Sequence, residues 1–236
     1  MAESYASSTD VIVLRPMMDE AAARALIERK KQSLFGSLLS QPKAGAVRLQ
    51  KIHLSYECLR TVSGRYEADY MRNATHTITV GKSVRRVVVG EASFDLRQQS
   101  RLKKALSPRR GKNKIDIGLQ EHVAFDSSLE ITFDTAGNEI KRPKYKVSPE
   151  TTEARPESII NDEALAKKPS LEREDAVSVL EERLKSPLEP DIEDLSEQFD
   201  LDSIVETYVP IFEARVRGPD NKAAIIRIDA ARKKII

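Results

Sequence analysis

The chain has 236 residues, with 39 Lys and Arg against 37 Asp and Glu, a net charge of +2 and a hydrophobic share of 40%. This length accommodates one large domain or two small ones around an ordinary core. No run approaches the roughly 18 apolar residues of a membrane-spanning helix. Residues 1–10 lack the basic head and apolar run of a secretory signal, so we expect a cytoplasmic protein without membrane insertion.

The charge is unevenly distributed along the chain. Residues 1–146 carry 26 Lys and Arg against 16 Asp and Glu, a net charge of +10, whereas residues 147–236 carry 13 against 21, a net charge of −8. Such a split indicates either an acidic partner for the first part, which would be a nucleic acid or a protein, or mutual attraction between the two parts. The sequence leaves both readings open.

The first predicted elements are a short strand at residues 11–14 and a helix over residues 16–39. Pro16 is suited to the first turn of that helix, and Ala23 and Ile27 begin its apolar face. Next, residues 52–58 alternate as a half-buried strand. A turn at Ser63 and Gly64 and another at residues 81–83 then predict a three-stranded antiparallel meander that extends to residue 89.

A strongly basic segment follows, and it is the leading candidate for a binding site. Pro108 and Gly111 disfavour a helix there, and its cations can neutralise phosphates or face the acidic part of the chain. No aromatic residue is interleaved with them, so base stacking is not indicated. The candidate residues for an anionic partner are Arg97, Arg101, Lys103, Lys104, Arg109, Arg110, Lys112 and Lys114.

The remaining chain is predicted as a hairpin at residues 123–133, a linker and a second domain. Residues 143–169 are rich in Pro, Glu, Ser, Thr and Lys, which is typical of an extended linker. We therefore expect domains at 1–142 and 170–236. The second domain is expected to contain a helix at 171–185, an acidic helix at 191–201 and strands at 208–216, 224–228 and 233–236.

Two parts of the sequence resemble each other. Residues 78–88 align without gaps on residues 226–236, and in both a basic pair precedes a β-branched pair. A three-stranded meander has one apolar face that needs a covering element, and a helix precedes each copy. The predicted fold class is therefore α+β, with two helix-plus-antiparallel-meander units that arose by internal duplication, joined by the Pro- and Glu-rich linker.

The second copy resembles PepSY-type and broader cystatin-like modules. The resemblance lies in a strand at residues 212–216, a polar turn and a strand that ends in Asp229 and Ala230 before a short basic strand. Ala231 and Arg232 stand where the family usually has Gly. The resemblance covers residues 170–236 and, more faintly, residues 18–90, and it implies a helix laid across an antiparallel sheet.

The residues that carry chemistry are sparse. His53, His76 and His122 lack metal-ligand spacing, and Cys58 lies on the apolar side of a strand, where a small core residue is expected. No phosphate-binding glycine loop, nucleophile elbow or local triad is present, and we expect no cofactor or metal. The sequence favours a non-enzymatic interaction protein, an adaptor or accessory subunit with a protein partner. The alternative is a nucleic-acid-binding protein using residues 97–114, and an enzyme with a dispersed site is a third reading.

Overall fold

The computed structural model describes residues 9–35, 42–95, 113–188 and 192–236. The fold is a sheet-rich α+β fold with few helices. It comprises two compact units, unit 1 (residues 1–65, 128–186 and 199–236) and unit 2 (residues 66–127 and 187–198). Three long strands contribute residues to both units, and they are β2 (Arg48–Val80), β5 (Asn113–Phe133) and β8 (Ile192–Arg217).

These strands belong to a sheet that also contains β6 (Glu139–Ile140), β9 (Ala223–Asp229) and β10 (Lys234–Ile235), in the order β10-β9-β8-β2-β5-β6. In addition, β1 (Thr9–Val13) pairs with β8 and β7 (Ala166–Lys167) pairs with β2. Both additional pairings are parallel, whereas β9 pairs with β8 in an antiparallel register. The remaining elements are α1 (Glu20–Lys30), β3 (Arg86–Val89), β4 (Ala92–Asp95), α2 (Glu157–Ile160) and α3 (Arg173–Lys185).

Helices α1 and α3 cover one face of the sheet in unit 1, which we call the helix face. Asp19 caps α1 by accepting a hydrogen bond from the Ala22 amide at 2.8 Å, and Ala23 and Ile27 are buried in the same apolar cluster as Phe212 and Ile228. The helix predicted at 171–185 is confirmed as α3, in which Ala176, Val177, Leu180 and Leu184 are all buried. The strands after residue 208 also form as predicted.

The turn predicted at Ser63 and Gly64 is wrong, because β2 runs unbroken through both residues. Glycine is used here for close packing instead of for a turn. A Cβ atom on Gly64 would lie 2.7 Å from the carbonyl oxygen of Asp200 and 3.3 Å from a methyl carbon of Leu180. The missing side chain therefore lets β8 and α3 approach β2.

Two further local predictions are wrong in the same way. The hairpin predicted at residues 123–133 is part of the single strand β5, and the acidic helix predicted at 191–201 is the first part of β8 in the described residues from Ile192 onwards. The helical spacing of apolar residues there is overridden by strand pairing with β2. Asp194, with a φ of 51°, marks a local irregularity of that strand.

The internal duplication is not confirmed. Phe212 and Ile228 face each other across β8 and β9, as the meander of the second copy requires. The duplication predicts that Tyr66 is equivalent to Phe212 and Val80 to Ile228, but Tyr66 and Val80 lie on the same strand, β2. The hairpin of β3 and β4 forms a separate two-stranded sheet, so residues 52–89 do not fold as the predicted meander.

The linker is not confirmed either. Residues 143–169 lie within unit 1 and are packed there, since Thr152 forms a β-bridge with Leu14 and Ala166 pairs with Tyr56. Ala166 is 5% exposed. The predicted divisions at 142/143 and 169/170 both fall inside unit 1.

Unit 2 contains residues 66–80 of β2, residues 113–127 of β5, residues 192–198 of β8 and the β3–β4 hairpin. Side chains link its strands, with Thr77 donating to Asp116 at 2.7 Å and Asn73 donating to Glu193 at 3.1 Å. Over the described ranges of the whole chain, no helix combines the length and apolar character needed to cross a bilayer.

Candidate functional site: a cleft beneath a strap

The face of the unit 1 sheet opposite the helices is covered by a segment that we call the strap, residues 142–147. Side chains alternate along each strand, so Cys58 and Tyr208 point to the helix face, whereas Leu59 and Thr207 point to the strap face. Tyr145 of the strap packs near Leu59 against the buried cluster of Leu14, Val209 and Ile211. The strap face is thus partly covered by irregular chain.

A cleft of about 490 Å³ lies between the strap and the sheet. Its walls combine apolar side chains, including Ile12 and Leu59, with hydroxyl and charged groups of the strands and the strap. This volume is within the range of about 300–1,000 Å³ that is usual for ligand sites. Mixed lining with a few placed polar groups is what gives such sites orientation and specificity.

Three threonines on neighbouring strands place hydroxyl groups in the lining of the cleft: Thr207 on β8, Thr61 on β2 and Thr132 on β5. The Thr61 and Thr132 hydroxyls are 3.0 Å apart and hydrogen-bond to each other. Thr207 is 9% exposed and has no hydrogen-bond partner among the described residues. Each hydroxyl can both donate and accept, so this row suits a ligand with neutral polar groups.

Charged groups of the strap and of β5 also contribute to the lining. Arg142 donates to Glu130 at 2.5 Å, and both side chains are about half exposed. Lys144 also lines the cleft, is exposed and makes no ion pair within the part of the chain that the structure describes. The charge of Arg142 is therefore balanced by Glu130, whereas the charge of Lys144 is not balanced by a described residue.

The strap is anchored by Tyr145. Its hydroxyl donates to Asp229 at 2.8 Å, and the Arg232 guanidinium lies 5.2 Å from the centre of its ring. Asp229 is 1% exposed and also accepts from the backbone amide and the Nε of Arg232, at 2.9 and 2.6 Å. Burial, followed by the charge of Asp229, raises the pKa of Tyr145. Tyr145 is therefore a neutral phenol that holds the strap in place.

On the helix face, the buried polar groups are fully engaged with each other. Arg60 and Glu206, both about 5% exposed, pair at 2.8 Å, and Arg173 adds a contact to the same carboxylate at 3.1 Å. A second guanidinium nitrogen of Arg60 donates to the carbonyl oxygen of Leu171. Burial alone would raise the pKa of Glu206, but hydrogen bonds from Arg173 and Arg60 outweigh burial and lower it.

Cys58 is a core residue, as the sequence predicts, and is fully buried. Burial, followed by the negative charge of Glu206, raises the pKa of its thiol to about 12. The neighbouring Tyr208 has a raised pKa for the same leading reason. Since the thiolate is the nucleophilic form, this cysteine is held in its unreactive state.

The sequence matches no protein-family model and no curated protein, and the fold matches no solved structure. No group of three or more metal-ligating His, Cys, Asp or Glu side chains occurs in the described parts of the chain. The geometry of the chain itself therefore carries the functional argument.

Of the candidate anion-binding residues, the structure describes Lys114, whereas Arg97, Arg101, Lys103, Lys104, Arg109, Arg110 and Lys112 lie outside the described residues. Lys114 is exposed near the start of β5 in unit 2. The neighbouring Asn113 side chain donates to the carbonyl oxygens of Lys82 at 2.9 Å and Val84 at 3.2 Å. Lys114 is therefore next in sequence to a residue that is bonded to the 81–84 turn.

The histidines of unit 2 are bound to carboxylates. His76 contacts Glu121, which also accepts from Arg72 at 2.7 Å, and His122 lies 3.3 Å from Asp69. Hydrogen bonds from Arg72 and then His76 lower the pKa of Glu121. These are cross-strand contacts that link β2 to β5, with the two histidines exposed and Arg72 and Glu121 partly buried.

Sequence reasoning missed the cleft. Thr61, Thr132 and Thr207 have an ordinary strand-like setting, and only the strand order brings them together. A signal was available at the strap, because Lys141 just before it and Arg142, Lys144 and Lys146 within it place four cations in six residues. Pro143 and the surrounding composition instead favoured a linker.

Proposed function

We propose that the protein is a non-enzymatic interaction protein, an adaptor or accessory subunit that binds a protein partner in the cleft of unit 1. The single observation that carries this proposal is the cleft itself. It combines an unpartnered hydroxyl on Thr207, an unpaired cation on Lys144 and apolar walls. Such a lining offers recognition of a ligand without an activated nucleophile or base.

The pKa shifts of the buried groups support binding over catalysis. Cys58, Tyr145 and Tyr208 have pKa values raised away from neutrality, and Glu206 has a lowered pKa. Each shift favours the form that the group already has at pH 7. Catalytic acids and bases are instead tuned towards the working pH, so these groups serve the stability of the fold.

Nucleic-acid binding is the second candidate, and the setting of Lys114 favours it. Asn113 links the start of β5, which carries the exposed Lys114, to the 81–84 turn, whose sequence includes Lys82 and is followed by Arg85. Arg86, by contrast, is paired with Asp95 at 2.7 Å. Clustered cations attract a phosphate backbone through counterion release, a strongly salt-dependent effect.

The two functions are separated by one retrieval experiment. A tagged full-length chain is used to retrieve partners from native extract, with and without nuclease treatment, alongside variants Lys144→Glu and Lys114→Glu. The interaction proposal expects a nuclease-resistant protein that is lost with Lys144→Glu and kept with Lys114→Glu. Material that nuclease removes, and that Lys114→Glu reduces, would contradict it and favour the nucleic-acid function.

The PepSY-like resemblance and a cytoplasmic location belong to this proposal as well. The antiparallel arrangement of β8, β9 and β10 in residues 208–236 supports the resemblance. The apolar cluster against these strands contains residues of α1, a helix outside the resembling segment 170–236. Fractionation of the native cell, with the chain detected by antibody, tests the location.

A further inference from the structure

We infer that the cleft of unit 1 binds an extended acidic and apolar peptide segment of the partner protein. In this arrangement a carboxylate of the segment lies on Lys144, an apolar side chain lies against Ile12 and Leu59, and its backbone hydrogen-bonds to Thr207. The inference rests on the proposed function, to which it adds the chemistry of the partner.

The charge of the strap selects an anionic group. Glu130 is already satisfied by Arg142, whereas Lys144 lines the same cleft without an acidic partner in the described residues. Lys141 and Lys146 extend the positive charge on either side and are likewise unpaired in that part of the chain. A carboxylate is thus attracted, and a basic segment is repelled by the same group.

The neutral polar lining selects a peptide over a simple hydrocarbon acid. Thr207 is more than nine-tenths buried, lines the cleft and has no partner among the described residues. An alkyl chain laid over it would leave that hydroxyl desolvated and unpaired, which costs free energy. An extended backbone presents both N–H and C=O groups, and a hydroxyl can pair with either.

The cleft also disfavours a phosphate backbone. Glu130 brings a carboxylate into the lining, and Tyr145, the aromatic residue of the strap, is committed to Asp229 and Arg232. A stacking platform for bases is therefore missing from the strap. Ile12 and Leu59 instead provide apolar walls that fit the aliphatic side chain of a peptide.

The test uses a defined probe, the capped and fluorescein-labelled peptide Glu-Leu-Glu-Ile-Glu, with Lys-Leu-Lys-Ile-Lys as its charge-reversed comparator. Fluorescence polarisation with the full-length chain should show saturable binding of the acidic peptide only. Lys144→Glu should weaken binding by about tenfold or more, the ratio expected for a charge-assisted hydrogen bond. Thr207→Val should weaken it by about fivefold, as for a neutral hydrogen bond.

The matched control is Lys146→Glu, which makes the same charge change on the same strap but outside the lining of the cleft. It should weaken binding by less than about threefold, because an exposed charge is screened by salt. Equal loss with Lys146→Glu would overturn the cleft as the site. Octanoate is tested as a competitor of the labelled peptide. If it displaces that peptide fully at the same concentration as the unlabelled peptide does, a peptide is overturned as the occupant.

Failure of this inference is distinguishable from failure of the proposed function. If the acidic peptide does not bind, while a nuclease-resistant partner is still retrieved and is lost with Lys144→Glu, the peptide chemistry is overturned and the interaction role stands. If that partner is retained by Lys144→Glu, both the cleft and its peptide are overturned. Unfolding curves for each variant confirm that a loss of binding is not a loss of fold.

Discussion

The two faces of the unit 1 sheet are made by alternate residues of the same strands, yet they use their polar groups differently. On the helix face, Arg60, Glu206 and Arg173 are joined in one buried network. On the strap face, Thr61 and Thr132 pair with each other while Thr207 has no partner among the described residues. A spare hydrogen-bonding group is kept on one face and avoided on the other.

This difference indicates a division of labour. Buried polar groups without partners are costly and are therefore rare where nothing but stability is served. The helix face obeys that rule, and its titratable groups are held in their resting states. On the strap face, by contrast, the Ser55 hydroxyl is buried without a partner among the described residues, and Thr207 has an unpartnered hydroxyl at the cleft, where a ligand can complete the hydrogen bonding.

The largest expected effect is on the helix face, with Arg60→Met. The change leaves the carboxylate of Glu206 buried with Arg173 alone, and breaking a buried pair in this way costs about 3–5 kcal/mol of unfolding free energy. Urea unfolding followed by circular dichroism measures it. Arg173→Met is the control, because that side chain is about half exposed, and it should cost about 1 kcal/mol or less.

A cost below 1 kcal/mol for Arg60→Met would contradict the assignment of this network to stability. The buried network of the helix face would then not distinguish it from the strap face. Peptide binding by Arg60→Met gives a second readout, measured without urea at a temperature where the variant stays folded. The dissociation constant should be unchanged, because Arg60 points away from the cleft.

How much of this arrangement is readable from the sequence depends on the range of the interactions. Local signals succeed in part, since the helix predicted at 171–185 and the strands predicted at 208–216 and 224–228 all form. The helix predicted from Pro16 instead begins at Glu20, after its cap Asp19. Long-range pairing fails, since Gly64 reads as a turn residue until its contact with Asp200 is known. The cleft depends wholly on such pairing.

The same limit explains the mistaken linker. The composition of residues 143–169 has little apolar material, which is typical of a disordered segment. Its order comes from a few specific contacts, notably Tyr145 on Asp229 and Ala166 beside Tyr56. Such contacts involve partners about 80 to 110 residues away in sequence, and no periodicity signals them.

The next expected effect concerns the anchor of the strap, with Tyr145→Phe. Removing the hydroxyl leaves Asp229 with the two contacts from Arg232 and should cost about 1–2 kcal/mol, as for a hydrogen bond to a charged group. Urea unfolding measures it. The acidic peptide should also bind more weakly, because a looser strap leaves the cleft less well formed.

The control for Tyr145→Phe is Lys146→Glu, a neighbouring change on the strap with no buried partner, which should alter stability by less than about 0.5 kcal/mol. If Tyr145→Phe leaves both stability and peptide binding at wild-type values, then Asp229 does not hold the strap. The two faces would in that case be more alike than the contacts indicate.

A smaller loss of unfolding free energy is expected when the pH is lowered. The pKa of Glu206 is lowered in the folded chain. The contribution of Glu206 to stability is thus fully present above the pKa of the unfolded chain, about 4.3. It is lost as the pH falls through the lower pKa of the folded chain. Unfolding free energies of the wild type between pH 6 and pH 3 should decline at the acid end. Glu206→Gln, although less stable at pH 6, should show a shallower decline, and an equal slope would remove Glu206 as the cause.

The smallest expected effect is on the strap face, with the pair Thr61→Val and Thr132→Val. Either change alone leaves one buried hydroxyl without its partner and should cost about 1 kcal/mol. The double variant replaces both with apolar groups of similar shape and should cost less than the sum of the single changes, by about 1 kcal/mol of coupling. Urea unfolding of the four proteins in this cycle measures that coupling. Peptide binding by the double variant should nevertheless fall, because the lining has lost two hydroxyls that a bound backbone can use. Full additivity of the two costs, with unchanged peptide binding, would mean that these threonines serve neither each other nor the ligand.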